Sequence, residues 1–171
     1  YQILNAKGNL SEHAILYRTN SQSRLLEEYL IKNNVPYKIF GGLRFFERAE
    51  IKDLLAYIRV ILNELDHSSW HRIINTPARG IGKKSIEKLL SIDHTFISGL
   101  KQREKLLSGK ALNGCNQLFK IVNDAKKLLQ SDSKFSDLII YLNSSSGLLP
   151  HYENNPDPTS QSRADNLKDL A

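Results

Sequence analysis

The hydrophobic pattern changes at Gly41-Gly42, and this change constrains the fold more than any other feature of the 171-residue sequence. After these glycines, apolar residues recur at three- and four-residue spacing, which is typical of helices that bury one face. The clearest stretches span residues 47–63, 118–129 and 135–142. The sequence therefore predicts a mainly α fold for the region that follows residue 40.

The forty residues before the glycines follow a different pattern. Ala14–Tyr17 is a short apolar run and Tyr37–Phe40 alternates, as strands do, while residues 22–33 between them have one apolar helical face. Such a β-α-β unit is too small to bury both faces of its sheet, so we expect it to be the edge of a larger α/β domain. Its unpaired strand edge would also favour a dimer.

Glycine and proline mark the other predicted boundaries. Gly41 and Gly42 can adopt backbone angles that other residues avoid, which predicts a turn or a hinge. Residues 150–162 contain three prolines and few apolar residues, which indicates an exposed loop. One more helix is expected to begin at Arg163.

The chain contains no Met and starts at Tyr1, so we expect it to be a piece of a longer protein. The alternative is that modified methionines are omitted from the sequence, which would alter spacings only within residues 91–143.

The net charge is +6, and the excess lies in residues 41–110, which carry 13 basic and 8 acidic side chains. A local basic excess favours a polyanion partner such as nucleic acid, and a solvated basic surface is the alternative. No run approaches the ~20 apolar residues that span a bilayer, so no membrane partner is expected. The lone Cys115 excludes a disulfide framework and suits a reducing compartment.

The most informative motif runs from Asn75 to Ser85 and centres on Gly80-Ile81-Gly82, with apolar helices predicted on both sides, as in a helix-hairpin-helix. Glycines let backbone approach a phosphate closely, Ile81 is expected to point inward, and free N–H groups at the next helix start favour an anion. Arg79, Lys83 and Lys84 add positive charge. This predicts binding to a nucleic-acid backbone independent of base sequence; a tight turn without a ligand is the alternative.

A second motif lies where the first predicted strand runs into a helix. Arg18, Thr19 and Asn20 would present donors at the carboxyl end of that strand, where ligands gather in open α/β sheets. From chemistry alone, an ordinary capped helix with a solvated Arg18 is the favoured interpretation.

Other candidate chemistry is weak, and no catalytic residue is assigned. His67 and His71 are four apart, but no third ligand lies at suitable spacing, so no metal site is predicted. Cys115 is expected to be structural. The pairs Glu27/Glu28 and Glu47/Glu50 are expected on solvated helix faces.

Several stretches together resemble superfamily 1 DNA helicases of the UvrD/Rep (PcrA-like) family. The matching stretches are Ala14–Arg24, Gly41–Asp53, Asn75–Gly82 and Arg163–Leu167. Asp165 stands where the family has Glu, and Ser146-Gly147-Leu148 stands where it usually has Ser-Gly-Tyr. The resemblance covers essentially the whole chain, although residues 91–143 match only as generic helices.

The resemblance implies a domain layout. Residues 1–40 would be a fragment of the RecA-like domain 2A, residues 41–162 the helical 2B subdomain, and residues 163–171 the start of the return to domain 2A. Gly41, Gly42 and Arg44 would belong to the junction about which 2B rotates.

The resemblance also implies a function. The parent protein would be an ATP-dependent 3′–5′ DNA helicase of repair or replication restart, in the bacterial cytoplasm and associated with the nucleoid. Its partners would be a duplex–single-strand DNA junction and the remaining helicase domains. Arg18, Thr19 and Asn20 would contact the single strand. The duplex backbone would be held by Thr76, Arg79, Gly80, Ile81, Gly82, Lys83 and Lys84.

Cofactor binding is expected outside this chain. The sequence lacks the Gly-x-x-x-x-Gly-Lys-[Ser/Thr] phosphate loop, so ATP and Mg²⁺ would be bound by other parts of the parent, and the fragment alone should hydrolyse no ATP. An alternative function is a regulatory or protein-interaction subdomain with little DNA affinity. Tyr37, Phe40, Phe45 and Phe46 would then be contact residues instead of core residues.

Overall fold

The computed structural model describes residues 9–18, 22–40 and 44–171 of the chain. The chain forms two compact units, Tyr1–Phe45 and Phe46–Ala171. All regular secondary structure in the described residues is helical, which confirms the prediction of a mainly α fold. The α-helices are α1 (Ser23–Lys32), α2 (Ala49–Leu62), α3 (His67–Ile73), α4 (Lys83–Leu89), α5 (Phe96–Lys101), α6 (Arg103–Leu106), α7 (Gly109–Gln130), α8 (Phe135–Ser145), α9 (Leu148–Glu153) and α10 (Pro158–Asp169). Short 3₁₀ helices are formed by Leu10–Glu12 and Phe45–Glu47.

Neither predicted strand is present in the described residues. Ala14–Tyr17 and Tyr37–Phe40 are irregular. A strand needs a neighbour about 4.8 Å away with which to exchange backbone hydrogen bonds, and the described part of the chain contains no strand that could provide it. The side chains of Leu16 and Phe40 are exposed, at 94% and 85%, so the apolar residues that suggested strands are not buried.

The first unit contains a buried carboxylate that the sequence placed on a solvated face. Glu27 of α1 is only 2% exposed. It accepts hydrogen bonds from Ser23 Oγ at 2.9 Å, from the Tyr37 hydroxyl at 3.2 Å and from the Phe45 N–H at 3.1 Å. A carboxylate tolerates burial when such donors replace water. The helical pattern alone could not reveal them, because two of the donors lie outside α1.

The second unit is built around α2, which packs against α3, α7, α8 and α10. Ile51, Leu54 and Tyr57 on its apolar face are completely buried. Leu118 of α7 and Leu142 of α8 are also completely buried. Since burial of each such side chain stabilises the fold by about 1.5–3 kcal/mol, the apolar stripes that predicted these helices also hold them together.

The prediction of an exposed loop across residues 150–162 is wrong. Helix α9 runs through Pro150 to Glu153, and α10 begins at Pro158. Proline is tolerated in the first helical turn because its missing N–H would have no partner there. Asp157 caps α10 by accepting a hydrogen bond from the Thr159 N–H at 2.8 Å. Two of the three prolines therefore lie in the first turns of helices, and the loop is reduced to residues 154–157, which include Pro156.

Arg48, Glu50 and Asn166 form a buried hydrogen-bonded cluster, called here the junction network. Arg48 Nη1 donates to Asn166 Oδ1 at 2.7 Å, and Asn166 Nδ2 donates to Glu50 Oε1 at 2.6 Å. Glu50, expected on a solvated face, is only 2% exposed. Its donor comes from a distant part of the sequence, so the spacing of acidic residues on α2 could not predict its burial. The network joins the N-terminus of α2 to α10.

No helix within the described ranges is long and apolar enough to cross a membrane.

Candidate nucleic-acid interface

The helices predicted around the Gly-Ile-Gly motif are present as α3 and α4, and residues 74–82 connect them. This connection is called here the Gly-Ile-Gly turn. Asn75 organises it, because its Oδ1 accepts hydrogen bonds from the Arg79 N–H at 2.7 Å and from the Ile81 N–H at 3.2 Å. Gly80 has a φ of +73°, a left-handed conformation that favours glycine. The local sequence thus dictates a compact turn between two short helices.

Ile81 anchors the turn in the core and leaves its neighbours exposed. The Ile81 side chain is 1% exposed, as predicted, whereas Gly82, Lys83 and Lys84 are exposed. The N–H groups of Gly82, Lys83 and Lys84 have no hydrogen-bond acceptor among residues 44–171. Helix α4 has only seven residues, so its dipole is short and the two lysines supply most of the positive charge.

The predicted phosphate contacts divide between two clefts. Thr76, Ile81, Gly82 and Lys83 line a cleft of about 520 Å³ between α3 and α4. Arg79 lines a second cleft of about 610 Å³, together with polar residues of α7 and α8. The structure therefore brings most of the predicted contacts together but places the Arg79 side chain elsewhere.

The guanidinium of Arg79 is bonded to the protein. Its Nη1 donates to three carbonyl oxygens, and its Nη2 donates to one hydroxyl and one carbonyl oxygen from other helices. These acceptors are, for Nη1, the carbonyl oxygens of Ile73 at 3.0 Å, Thr76 at 2.8 Å and Pro77 at 3.1 Å, and, for Nη2, the hydroxyl of Tyr57 and the carbonyl oxygen of Ser146 at 2.6 Å. Arg79 and these acceptors are called here the turn clamp.

Tyr57 connects the turn clamp to α2. It is completely buried, and its hydroxyl donates to the Thr76 carbonyl oxygen at 2.9 Å while accepting from Arg79. Burial raises the pKa of Tyr57 to about 12, although the Arg79 cation acts in the opposite direction. The hydroxyl therefore stays protonated at neutral pH and can donate its hydrogen bond to the Thr76 carbonyl oxygen.

Helix α7 packs closely against the turn because it has glycine at position 114. A Cβ at Gly114 would overlap the carbonyl oxygen of Arg79. On the turn side, a Cβ at Gly80 would lie 3.2 Å from the Cβ of Lys110. Lys110 is exposed, so α7 places an additional basic residue beside the turn.

The predicted single-strand contacts are described only in part. Arg18 is exposed, and its backbone N–H donates to Gln22 Oε1 at 3.0 Å. Thr19 and Asn20 lie outside the described residues.

The predicted hinge is likewise described only at its end. Arg44 is exposed, and its guanidinium carbon lies 5.5 Å from the centroid of the Tyr37 ring. Gly41 and Gly42 lie outside the described residues.

The other candidate residues have structural surroundings. The rings of His67 and His71 pack on Phe96, at centroid distances of 6.1 and 4.7 Å. Cys115 is buried, and burial raises the pKa of its thiol to about 11, which disfavours the reactive thiolate. This buried position suits the structural role predicted for Cys115.

Sequence reasoning missed Tyr57 and Gly114 as parts of this site, and it gave no role to Asn75, the first residue of the motif. Two of them carried a usable signal: a glycine inside a long helical pattern indicates close backbone approach, and a tyrosine on a buried stripe needs a hydrogen-bond partner. Asn75 bonds to residues four and six positions later, beyond the usual asparagine turn pattern, so its role had no clear local signal.

The sequence is similar to those of several bacterial DNA helicases. The chain is 38% identical to DNA helicase II of Escherichia coli over 95% of its length. It is 39% identical to the ATP-dependent DNA helicase PcrA of Staphylococcus epidermidis over 94%, and 37% identical to the ATP-dependent DNA helicase Rep of Salmonella typhimurium over 96%. The aligned region spans 23%, 22% and 25% of these relatives, so the chain corresponds to about a quarter of their length.

The match to a family covers more than half of the chain. Residues 2–107 match the UvrD-like helicase C-terminal domain, a range that includes the predicted single-strand contacts, the predicted hinge and the whole Gly-Ile-Gly turn. By this match and by its relatives, the chain belongs to the UvrD-like helicase C-terminal domain family.

Proposed function

We propose that the chain is the part of an ATP-dependent 3′–5′ DNA helicase that holds the duplex backbone ahead of the fork. One observation carries this proposal: the Gly-Ile-Gly turn combines unbonded N–H groups with the exposed side chains of Lys83 and Lys84. This arrangement suits phosphate oxygens, which accept hydrogen bonds and attract cations. Membership of a helicase family makes DNA the phosphate polymer that fits best.

The turn would grip the backbone without reading bases. Lys83 and Lys84 would each neutralise a phosphate, while Gly82 would let the backbone approach closely, because no side chain stands in the way. Thr76, which lines the same cleft, would add a hydroxyl donor. Gly80 and Ile81 would shape the turn as a helix-hairpin-helix. Such contacts suit a motor, because a helicase must hold duplexes of any sequence.

The remaining parts of the chain are assigned by family resemblance. Residues 1–40 would belong to the RecA-like domain 2A, with Arg18, Thr19 and Asn20 along the single strand. Residues 41–162 would form the 2B subdomain, and residues 163–171 would return to 2A. The parent would act in repair or replication restart in the bacterial cytoplasm.

The junction between these domains is the second assignment by resemblance. Gly41 and Gly42 would absorb the backbone rotation of 2B, and Arg44 would lie in the segment that follows. A dimer through an unpaired sheet edge is not part of this proposal, because neither predicted strand is present in the described residues.

ATP and Mg²⁺ would be bound outside this chain. The sequence contains no Gly-x-x-x-x-Gly-Lys-[Ser/Thr] phosphate loop. No group of three acidic, histidine or cysteine side chains among the described residues is arranged to hold a metal ion. These residues do not fit the nucleotide or its metal, so the chain would bind and orient DNA while other domains supply hydrolysis.

The proposal is tested by titrating the chain with a fluorescently labelled duplex that carries a 3′ single-stranded tail. Anisotropy is followed between about 50 and 200 mM salt. We expect binding that weakens steeply with salt, and each of Lys83→Ala and Lys84→Ala to reduce the slope of log K against log salt by about one.

Lys88→Ala is the matched control. Lys88 is exposed and lies at the opposite end of α4, so its loss should leave the slope unchanged. If the chain shows no binding that Lys83→Ala or Lys84→Ala weakens, the duplex-holding function is wrong. The alternative of a protein-interaction subdomain with little DNA affinity would then account better for the exposed surface.

A further inference from the structure

We infer that Arg79 is a positioning residue that fixes the Gly-Ile-Gly turn and that its guanidinium neutralises no phosphate. The inference rests on the proposed function and refines it, because it separates the groups that contact DNA from the group that orients them. It differs from the sequence-based prediction, in which Arg79 contacts the duplex backbone directly.

The hydrogen bonds of Arg79 support this role. Both Nη atoms donate to acceptors within the protein, and four of the five acceptors are backbone carbonyl oxygens. A phosphate could accept a hydrogen bond from Nη1 or Nη2 only in competition with these acceptors. Carbonyl oxygens in a turn lose their partners when the cation leaves, and an unsatisfied polar group that stays buried is costly.

The location of Arg79 supports the same role. Its side chain lines the cleft that contains Lys120 and Tyr141, whereas Thr76 and Lys83 line the cleft between α3 and α4. Arg79 therefore lines a different cleft from the proposed phosphate contacts Thr76 and Lys83.

The clamp also joins elements that the local sequence cannot join. Asn75 holds the turn together from within, whereas the turn clamp connects it to other elements: Tyr57 of α2 donates to the Thr76 carbonyl oxygen, and Arg79 donates to the Tyr57 hydroxyl and to the Ser146 carbonyl oxygen at the end of α8. The orientation of the turn relative to the helical core thus depends on the clamp, in which Arg79 makes most of the hydrogen bonds. A positioning residue of this kind should affect DNA binding through the geometry of Lys83 and Lys84.

The test combines two measurements on Arg79→Ala, Arg79→Lys and Tyr57→Phe. The first is the salt dependence of binding to the same labelled DNA. The second is amide hydrogen exchange of Ile81 without DNA, since this N–H is bonded inside the turn. Amides of α7 serve as the reference for global stability.

We expect Arg79→Ala to weaken DNA binding while leaving the slope of log K against log salt unchanged. Exchange at Ile81 should accelerate by at least about tenfold, relative to amides of α7, because the turn opens locally. Arg79→Lys should behave like Arg79→Ala, since a single ammonium cannot reproduce the planar fork of donors. Tyr57→Phe removes one acceptor and should give a smaller change in the same direction, which keeps the test valid if Arg79→Ala does not fold.

Two results would overturn the inference. One is a slope that falls by about one in Arg79→Ala and recovers in Arg79→Lys, as expected for a direct phosphate contact. The other is unchanged Ile81 exchange in Arg79→Ala and Tyr57→Phe. The exchange result does not depend on DNA, so it remains decisive even if Lys83→Ala and Lys84→Ala show that the proposed duplex contact is wrong.

Discussion

Two arginines of the helical unit, Arg48 and Arg79, are held by different kinds of acceptor. The turn clamp around Arg79 uses backbone carbonyl oxygens and a phenol whose pKa is about 12. The junction network around Arg48 uses an asparagine that is bonded in turn to the buried carboxylate of Glu50. The acceptors of the clamp are therefore uncharged, whereas the network includes a carboxylate.

The two arginines therefore stabilise the helical unit in different ways. Three of the five acceptors of the clamp lie within six residues of Arg79, in the turn or at the end of α3, so Arg79 orders a local segment and joins it to the core. The network pairs residues 116 and 118 positions apart in the sequence, so it orders the first helix of the unit against the last. We expect loss of the network to affect global unfolding and loss of the clamp to affect the turn.

The largest expected effect is that of Asn166→Leu. The substitution removes both hydrogen bonds of the network and leaves the Glu50 carboxylate buried without its amide donor. We expect the free energy of unfolding to fall by about 3 kcal/mol. Urea unfolding followed by the fluorescence of Trp70, the chain's one tryptophan and a core residue, measures it.

Gln161→Leu is the control for this substitution. Gln161 is exposed on the same helix, α10, so its replacement should change stability by under about 0.5 kcal/mol. Equal effects of the two substitutions would mean that the junction network does not stabilise the unit.

Gly114→Ala is expected to have the next largest effect. The added Cβ would overlap the Arg79 carbonyl oxygen, so α7 and the turn must separate. We expect a destabilisation of about 2 kcal/mol, despite the better helix propensity of alanine. Gly82→Ala is the matched control, because nothing lies within 4 Å of a Cβ there. A stable Gly114→Ala variant with unchanged turn exchange would contradict the close packing of α7.

Tyr57→Phe is expected to have a smaller effect on stability. It removes the hydroxyl that donates to Thr76 and accepts from Arg79, and it keeps the buried ring. The expected loss is about 1 kcal/mol in thermal or urea unfolding. Combining it with Arg79→Ala should give less than the sum of the two single effects, because both remove the same hydrogen bond. Strict additivity would show that the two side chains act independently.

The smallest expected effect is a pH dependence near the junction network. Burial raises the pKa of Asp53, and the nearby negative charge of Glu50 also raises it. The positive charges of Arg72 and Arg163 act in the opposite direction and only partly offset this increase. The folded state therefore holds the proton more tightly than the unfolded state. The stability gained from this tighter proton binding is fully present below pH 3.8, the ordinary pKa of the group. It is lost as pH rises through the higher pKa that Asp53 has in the folded state. The melting temperature of the unsubstituted chain, measured relative to that of Asp53→Asn, should therefore fall as pH rises from about 4 to 7.

Asp66, the N-cap of α3, provides a control of opposite sign. Hydrogen bonds from the Ser69 N–H and hydroxyl lower its pKa. Its contribution is present above the ordinary pKa of 3.8 and is lost as pH falls through the folded pKa. Relative to Asp66→Asn, the chain should therefore gain melting temperature as pH rises. The same pH trend for both variants would show that these local environments do not control the titration.

The sequence by itself determined the helices and the place of the turn. Apolar periodicity gave α1, α2, α7 and α8, because a helix in a small unit is stabilised mainly by the face it buries. Gly80, Ile81 and Gly82 predicted a tight turn with one inward anchor, because glycine alone adopts the left-handed backbone freely. The family resemblance came from the same local patterns.

Only the tertiary structure decided what the polar side chains do. Arg79, Glu27 and Glu50 looked like exposed charges, yet each is bonded inside the protein by donors or acceptors from other elements. The prolines at 150 and 158 suggested a loop but lie in the first turns of α9 and α10, where a missing N–H costs no helical hydrogen bond. Local spacing determines which residues share a face, but the identity of the group opposite that face depends on packing between distant segments.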